Sequence, residues 1–222
     1  MRTKKVYSAA IILAMIVSMI FAGCAGMDPE MKISIDGKEF MLDCKVQDFI
    51  DAGFSISSIN HQSEILSESD YPVIDSMIMD QTNYYLISEG GIPCDVAFNV
   101  YNDGSSNLDL SECKVYQFKY DAGTYAEYAN SNIEKPEVLF NGVDCRFTDC
   151  AETANALNET GFRFSSDDID AFSADDMYGT SVIGPSGLMG HNVSLFHDYD
   201  YTEGVVRTNG FEFSLKLDYE IK

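Results

Sequence analysis

Two turn dipeptides in matching surroundings constrain this chain more than any other feature. Asp36-Gly37 separates Lys32-Ile33-Ser34-Ile35 from Lys38-Glu39-Phe40-Met41-Leu42, and Asn141-Gly142 separates Glu137-Val138-Leu139-Phe140 from Val143-Asp144-Cys145-Arg146-Phe147. Asp-Gly and Asn-Gly suit a two-residue β-hairpin turn, because both central residues need positive φ. Each hairpin runs into a helix pattern. In the first, Asp43 stands at a capping position, Val46, Phe49 and Ile50 form an apolar stripe, and Gly53 follows. In the second, Asp149 and Glu152 have the spacing of a capping box, Ala154 and Leu157 form the stripe, and Gly161 follows. Glycine suits the left-handed exit of a helix. Phe54 and Phe162 come next, each placed to staple onto its helix's stripe.

The correspondence continues. Asp95–Val100 resembles Asn192–His197, and Tyr116–Tyr120 aligns with Phe213–Leu217 at the same chain separation. These segments alternate apolar with polar residues, as half-buried strands do. Phe211 to Ile221 is the clearest strand pattern. The expected fold is therefore α+β, with two tandem repeats, each a β-hairpin, a short helix and an antiparallel β-meander. The first unit spans residues 31–130 and the second 135–222, with Lys135-Pro136 at the junction. Whether the units share a sheet is open at this level.

The N-terminus has a different character. Arg2, Lys4 and Lys5 precede an apolar run from Ala9 to Phe21, then Ala22-Gly23-Cys24. A basic head, a short apolar core and small residues before a cut site make a secretory leader. The run is short for a spanning helix, which needs about 20 residues. With cysteine at the cut site, the segment resembles a bacterial lipoprotein signal peptide of the Gram-positive type, with Phe21 where that family usually has Leu. The resemblance implies a leader over 1–23, a diacylglycerol on the Cys24 sulfur, cleavage before Cys24 and often acylation of the new amine. It would leave residues 24–30 as a lipidated tether on the extracellular face of the cell membrane. Two acyl chains hold where one binds only reversibly. The alternative is an ordinary cleaved signal followed by an unmodified Cys24.

Ile35 to Leu42 also reads Ile-x-Gly-x-x-Phe-x-Leu before a short helix ending in Gly53-Phe54. In this the first unit resembles uncharacterised surface lipoproteins of anaerobic Gram-positive bacteria, with Asp43 where those proteins often carry Pro. This resemblance implies a surface location and no known activity.

The chain holds 14 basic and 36 acidic residues, a net charge of −22; losing Arg2, Lys4 and Lys5 with the leader brings it to −25. Nucleic acid is excluded as a partner, since its affinity depends on neutralising phosphates. A domain lying broadly on anionic lipid is disfavoured for the same reason. The expected partners are the membrane, through the Cys24 anchor, and a cationic protein or peptide or calcium. The plainer role of the acidity is solubility. An apolar fraction of 45%, with 13 Tyr and 14 Phe, supplies a core.

Five cysteines follow Cys24: Cys44, Cys94, Cys113, Cys145 and Cys150. An exported chain permits disulfides, an odd count leaves one over, and no spacing matches a zinc site. Cys94 and Cys113 flank a strand–turn–strand pattern and could meet across it; buried thiols are the other reading. For calcium, oxygens concentrate at Asp167, Asp168, Asp170, Asp175 and Asp176, with a second group at Asp198, Asp200 and Glu203. Asp103–Asp109 has an EF-hand beginning but Leu108 where Gly is needed and Lys114 where Glu is needed. Only His61, His191 and His197 could serve as histidine bases, and Gly184-Pro185-Ser186-Gly187 is not a nucleophile elbow. Tyr84, Tyr85, Tyr116, Tyr120, Tyr125, Tyr128, Tyr199 and Tyr201 could form a binding surface or simply half-buried sheet faces. No cofactor is implied. The expectation is a lipid-anchored extracellular protein with a non-enzymatic protein- or peptide-binding role. The alternatives are an extracellular hydrolase using paired carboxylates and a purely structural envelope lipoprotein.

Overall fold

A computed structural model describes residues 28–58, 65–125, 127, 131, 133–165, 182–200 and 203–216. Both turn dipeptides form the expected hairpins. β1 (Lys32–Ile35) pairs with β2 (Lys38–Met41) around Asp36 (φ 49°) and Gly37 (φ 76°). β9 (Val138–Phe140) pairs with β10 (Val143–Asp144) around Asn141 (φ 48°) and Gly142 (φ 80°). Asp and Asn tolerate the left-handed region better than other side chains, which explains why these turns close tightly.

The hairpins do not lie apart. β1 pairs antiparallel with β9, giving a four-stranded sheet in the order β10-β9-β1-β2. A seven-stranded sheet faces it. Its strands are β3 (Ser55–Ser57), β5 (Ile78–Ile87), β6 (Pro93–Asn102), β8 (Lys114–Asp121), β11 (Val182–Ile183), β12 (His191–Asp200) and β13 (Val205–Leu215). Their order is β11-β12-β13-β8-β6-β5-β3, with β13 joined to β8 at the centre. Two short strands, β4 (Val73–Ile74) and β7 (Leu108–Asp109), form a separate ladder. The fold is thus β-rich α+β with mainly antiparallel strands, and both large sheets take strands from both halves of the chain.

The core lies between the sheets. Ile33, Ile35, Val138 and Phe140 from the hairpins are buried, as are Val96, Phe98, Phe118, Tyr120, Leu195, Phe211 and Phe213 from the larger sheet. Phe140 stacks on Phe211 and Phe213, with ring centroids 4.9 and 5.0 Å apart. The first helix, α1 (Val46–Asp51), drives Phe49 between Phe40 at 4.7 Å and Phe98 at 5.0 Å. The second, α2 (Cys150–Glu159), buries Ala154 and Leu157.

Several local expectations change. Asp149 caps α2, accepting from the Ala151 and Glu152 N–H groups at 2.9 and 3.0 Å. The cap position of α1 is Lys45 rather than Asp43, and Asp48 reaches back to the Lys45 N–H at 2.8 Å. Asp43 instead takes φ 67°, and its N–H bonds the Val115 carbonyl, so it turns the chain before the helix. The two Phe residues after the helices pack on hairpin strands. Phe54 meets Phe40 at 5.8 Å and Phe162 meets Phe140 at 5.3 Å. Such contacts fix each helix to a sheet, which a staple onto its own stripe would not do.

The equal chain separations in the two meanders do not become equal registers. Val96 opposes Tyr120, whereas Val193 opposes Phe213. The β6–β8 connection spends extra residues on β7 and a 3-10 turn at Leu110–Glu112, so Tyr120, not Tyr116, occupies the place corresponding to Phe213. The final strand also begins earlier than its pattern suggested, at Val205. Among the described residues, no helix is long and apolar enough to cross a membrane.

Candidate functional site

A groove of about 590 Å³ opens between β2 and the start of α1, lined by Glu39, Phe40, Met41, Leu42, Asp43, Cys44 and Asp48. The chain builds it by leaving the hairpin at Met41, turning at Asp43, and tying itself to the start of β8. Val115 N–H donates to the Cys44 carbonyl at 2.9 Å, and Val46 N–H to the Cys113 carbonyl at 3.1 Å. Phe40 is buried beneath it, while Met41 is 48% exposed.

Three carboxylates rim the groove. Glu39 pairs with Lys32 at 2.8 Å on the open surface. Asp43 accepts the Tyr101 hydroxyl, and Asp48 accepts the Lys45 N–H. The last two thus accept from neutral donors. Burial first, then the charges of Asp48 and Asp43, push the Cys44 thiol up to about 12.

β2 is the outermost strand of its sheet. Antiparallel ladders alternate inward and outward amides. Ile35 and Lys38 close the two-residue turn, so the Glu39 N–H and C=O point away from β1. The groove therefore combines an outward peptide group, an apolar floor and acidic walls.

The other candidate residues fall elsewhere. Cys24 and the cluster Asp167, Asp168, Asp170, Asp175 and Asp176 lie outside the described residues, as do His61, Tyr128 and Tyr201. Within the Asp198–Glu203 group, Asp200 serves the half-buried Arg207 of β13. Asp200, with its side chain 1% exposed, binds Arg207 Nε at 2.7 Å and accepts the Glu203 N–H at 3.3 Å. In the Asp103–Asp109 loop, Asp103 pairs with Lys114 at 2.8 Å, and that bond holds its carboxyl below the usual range. Asn107 bonds Asp75 at 2.8 Å, so this loop is tied by protein contacts. No group of three potential metal ligands occurs among the described residues.

The five thiols are unpaired, and all but Cys44 are buried. Cys94 does not meet Cys113. β6 and β8 run antiparallel with Tyr101 opposite Lys114, so Cys113 lies near the end of β6 and Cys94 at its far start. His191 Nδ1 lies 2.8 Å from Asp28 Oδ2, and His197 is buried within β12. Ser186 donates to the Arg163 carbonyl. The tyrosines divide between faces: Tyr84 and Tyr120 are in the core, and Arg146 Nε donates to the Tyr120 hydroxyl at 2.8 Å. Among the described residues, they do not converge on one surface.

Sequence reading missed Glu39, Asp43 and Asp48 as a set. They look like ordinary hairpin and helix-start residues, and nothing in their spacing announces a shared groove. No protein-family model, curated protein or solved structure matches the chain.

Proposed function

We propose that this protein is a lipid-anchored extracellular module that binds a basic, extended peptide segment and performs no catalysis. The observation that carries the reading is the β2 groove, where an outward strand amide lies beside three carboxylates. An extended peptide can add to such an edge through its main chain, while alternate side chains enter pockets and supply specificity. Lys or Arg side chains would meet Glu39, Asp43 and Asp48, and apolar ones would cover Met41. The strand is short and charged, features that discourage pairing of two like edges. A basic partner escapes that repulsion.

The leader and Cys24 support attachment by acyl chains at the outer face of the cell membrane. An excess of acid over the whole chain favours capture of cationic partners from solution.

We also read the two halves as copies of one unit. The reciprocal pairing of β1 with β9 supports this, and so does the pairing of β8 with β13. In the second, Phe118 opposes Phe213 and Tyr120 opposes Phe211, as two-fold related elements would.

Titration of a labelled Lys/Val-alternating peptide against the protein, at low and high salt, tests the binding. Affinity should fall as salt screens the carboxylates. Reversal of one groove charge in Asp48→Lys should weaken binding about tenfold, roughly 1.4 kcal/mol. Salt-independent affinity, or an unaffected Asp48→Lys variant, would reject the groove.

A further inference from the structure

We infer that the loop carrying Leu188 and Met189 is the membrane-facing pole of the folded domain and rests on the lipid surface to which Cys24 is tied. The inference depends on the lipid reading of Cys24 and adds an orientation to it.

The N-terminal segment is clamped to this loop. Asp28 Oδ1 accepts the Met189 N–H at 2.6 Å, and Oδ2 accepts the Gly190 N–H at 2.7 Å and lies 2.8 Å from His191 Nδ1. The Asp28 side chain is 7% exposed. Burial works against its charge, yet the bonds from Met189, His191 and Gly190 hold its carboxyl below the usual range. Two residues on, the Glu30 carbonyl accepts Asn141 Nδ2 at 2.6 Å, so the segment is fixed before β1 begins.

Chain length then limits where the loop can be. Cys24 and Asp28 are four residues apart, and an extended chain reaches at most ~3.6 Å per residue, about 14 Å in all. The polar region on each side of a bilayer is itself ~5–8 Å deep. A lipidated Cys24 therefore holds the Asp28 clamp, and Met189 with it, at headgroup level or just above.

The chemistry of the loop suits that place. Met189 is 73% exposed. In this acidic chain, no Asp, Glu, Lys or Arg stands between Asp176 and Asp198. Lys216 Nζ donates to the Leu188 carbonyl at 2.6 Å and sets a positive charge at the same pole as the Asp28 carboxylate, so this pole lacks the net negative charge that anionic headgroups repel. Like charge would turn the rest of the surface away.

The chain has no Trp, so a single introduced indole reports position without interference. Met189→Trp and Glu89→Trp are made in the full lipidated protein, purified from membranes and placed in vesicles containing brominated phosphatidylcholine and phosphatidylglycerol. Glu89 is an exposed residue in the β5–β6 turn, and β5 lies four strand spacings, ~19 Å, from β12. The Met189→Trp protein should show a blue shift and lose most of its emission, and the Glu89→Trp protein should do neither. Adding Asp28→Asn should reduce the effect at position 189. Vesicle flotation reports the anchor separately. Protein that floats with an unquenched indole at position 189, or with equal quenching at both positions, overturns the orientation and leaves the lipid reading intact. Protein that does not float overturns both.

Discussion

Asp36 and Asn141 each secure the partner hairpin from within their own turn. The Asp36 carboxylate accepts the Glu137 N–H at 2.9 Å, and the Asn141 side-chain oxygen accepts the Lys32 N–H at 2.9 Å. Their backbone N–H groups reciprocate, Asp36 donating to the Glu137 carbonyl and Asn141 to the Lys32 carbonyl. Each residue thus does two jobs: it takes the positive φ of its turn and closes one end of the β1–β9 seam.

Replacing Asn141 by Ala removes both the tolerance for that φ and the side-chain bonds to Lys32 and Glu30. The expected loss is about 1–3 kcal/mol, from the backbone strain and the unmade bonds. Asn141→Asp, which keeps the turn preference and an acceptor, should cost less. Urea denaturation of the two variants checks this, and equal losses would count against the side-chain acceptor as the cause.

Gly210 lies on β13 opposite Asp121 of β8. A Cβ there would come within 2.1 Å of the Tyr120 carbonyl oxygen, a backbone atom that cannot turn aside. Gly210→Ala should therefore force the central strand pair apart and cost about 2–4 kcal/mol. Thermal melting would register this. A variant as stable as the parent would show that β13 and β8 do not approach so closely.

Burial comes first among the causes that push the thiols upward: Cys44 and Cys94 to about 12 and Cys113 to about 11, with Cys145 and Cys150 also raised. The thiolate is the reactive form. Iodoacetamide at pH 8 should therefore leave the four buried cysteines, Cys94, Cys113, Cys145 and Cys150, unmodified in the native protein and alkylate them in denaturant, as read by mass spectrometry. Rapid native modification of any of them would contradict its placement.

The Asp28 clamp should respond to acid. A carboxyl held below its ordinary 3.8 adds stability that is complete above that value and lost as pH falls through the folded-state value. Asp28→Asn should accordingly lower stability at pH 7, by about 1 kcal/mol for bonds of this kind, and the gap from the parent should be smaller at an acid pH below 3.8. Paired denaturation curves at the two pH values test it; a gap undiminished in acid would mean the charge is not what binds the loop.

Short-range chemistry was legible in the chain itself. Asp-Gly and Asn-Gly specify tight turns, Asp149 specifies a cap, and Gly53 and Gly161 specify helix exits with φ of 90° and 108°, because each depends on a residue's own backbone preference. Strand alternation was readable for the same reason, as side chains of one strand must divide between two faces. What tertiary structure decided was which edges meet. Nothing local told β1 to pair with β9, Phe54 to leave its helix for Phe40, or Glu39, Asp43 and Asp48 to gather around one groove. Asp28 likewise gains its role only through the loop at Met189, far away in sequence. Such contacts follow from burying Phe140, Phe211 and Phe213 together, and that requirement belongs to the whole core rather than to any segment of it.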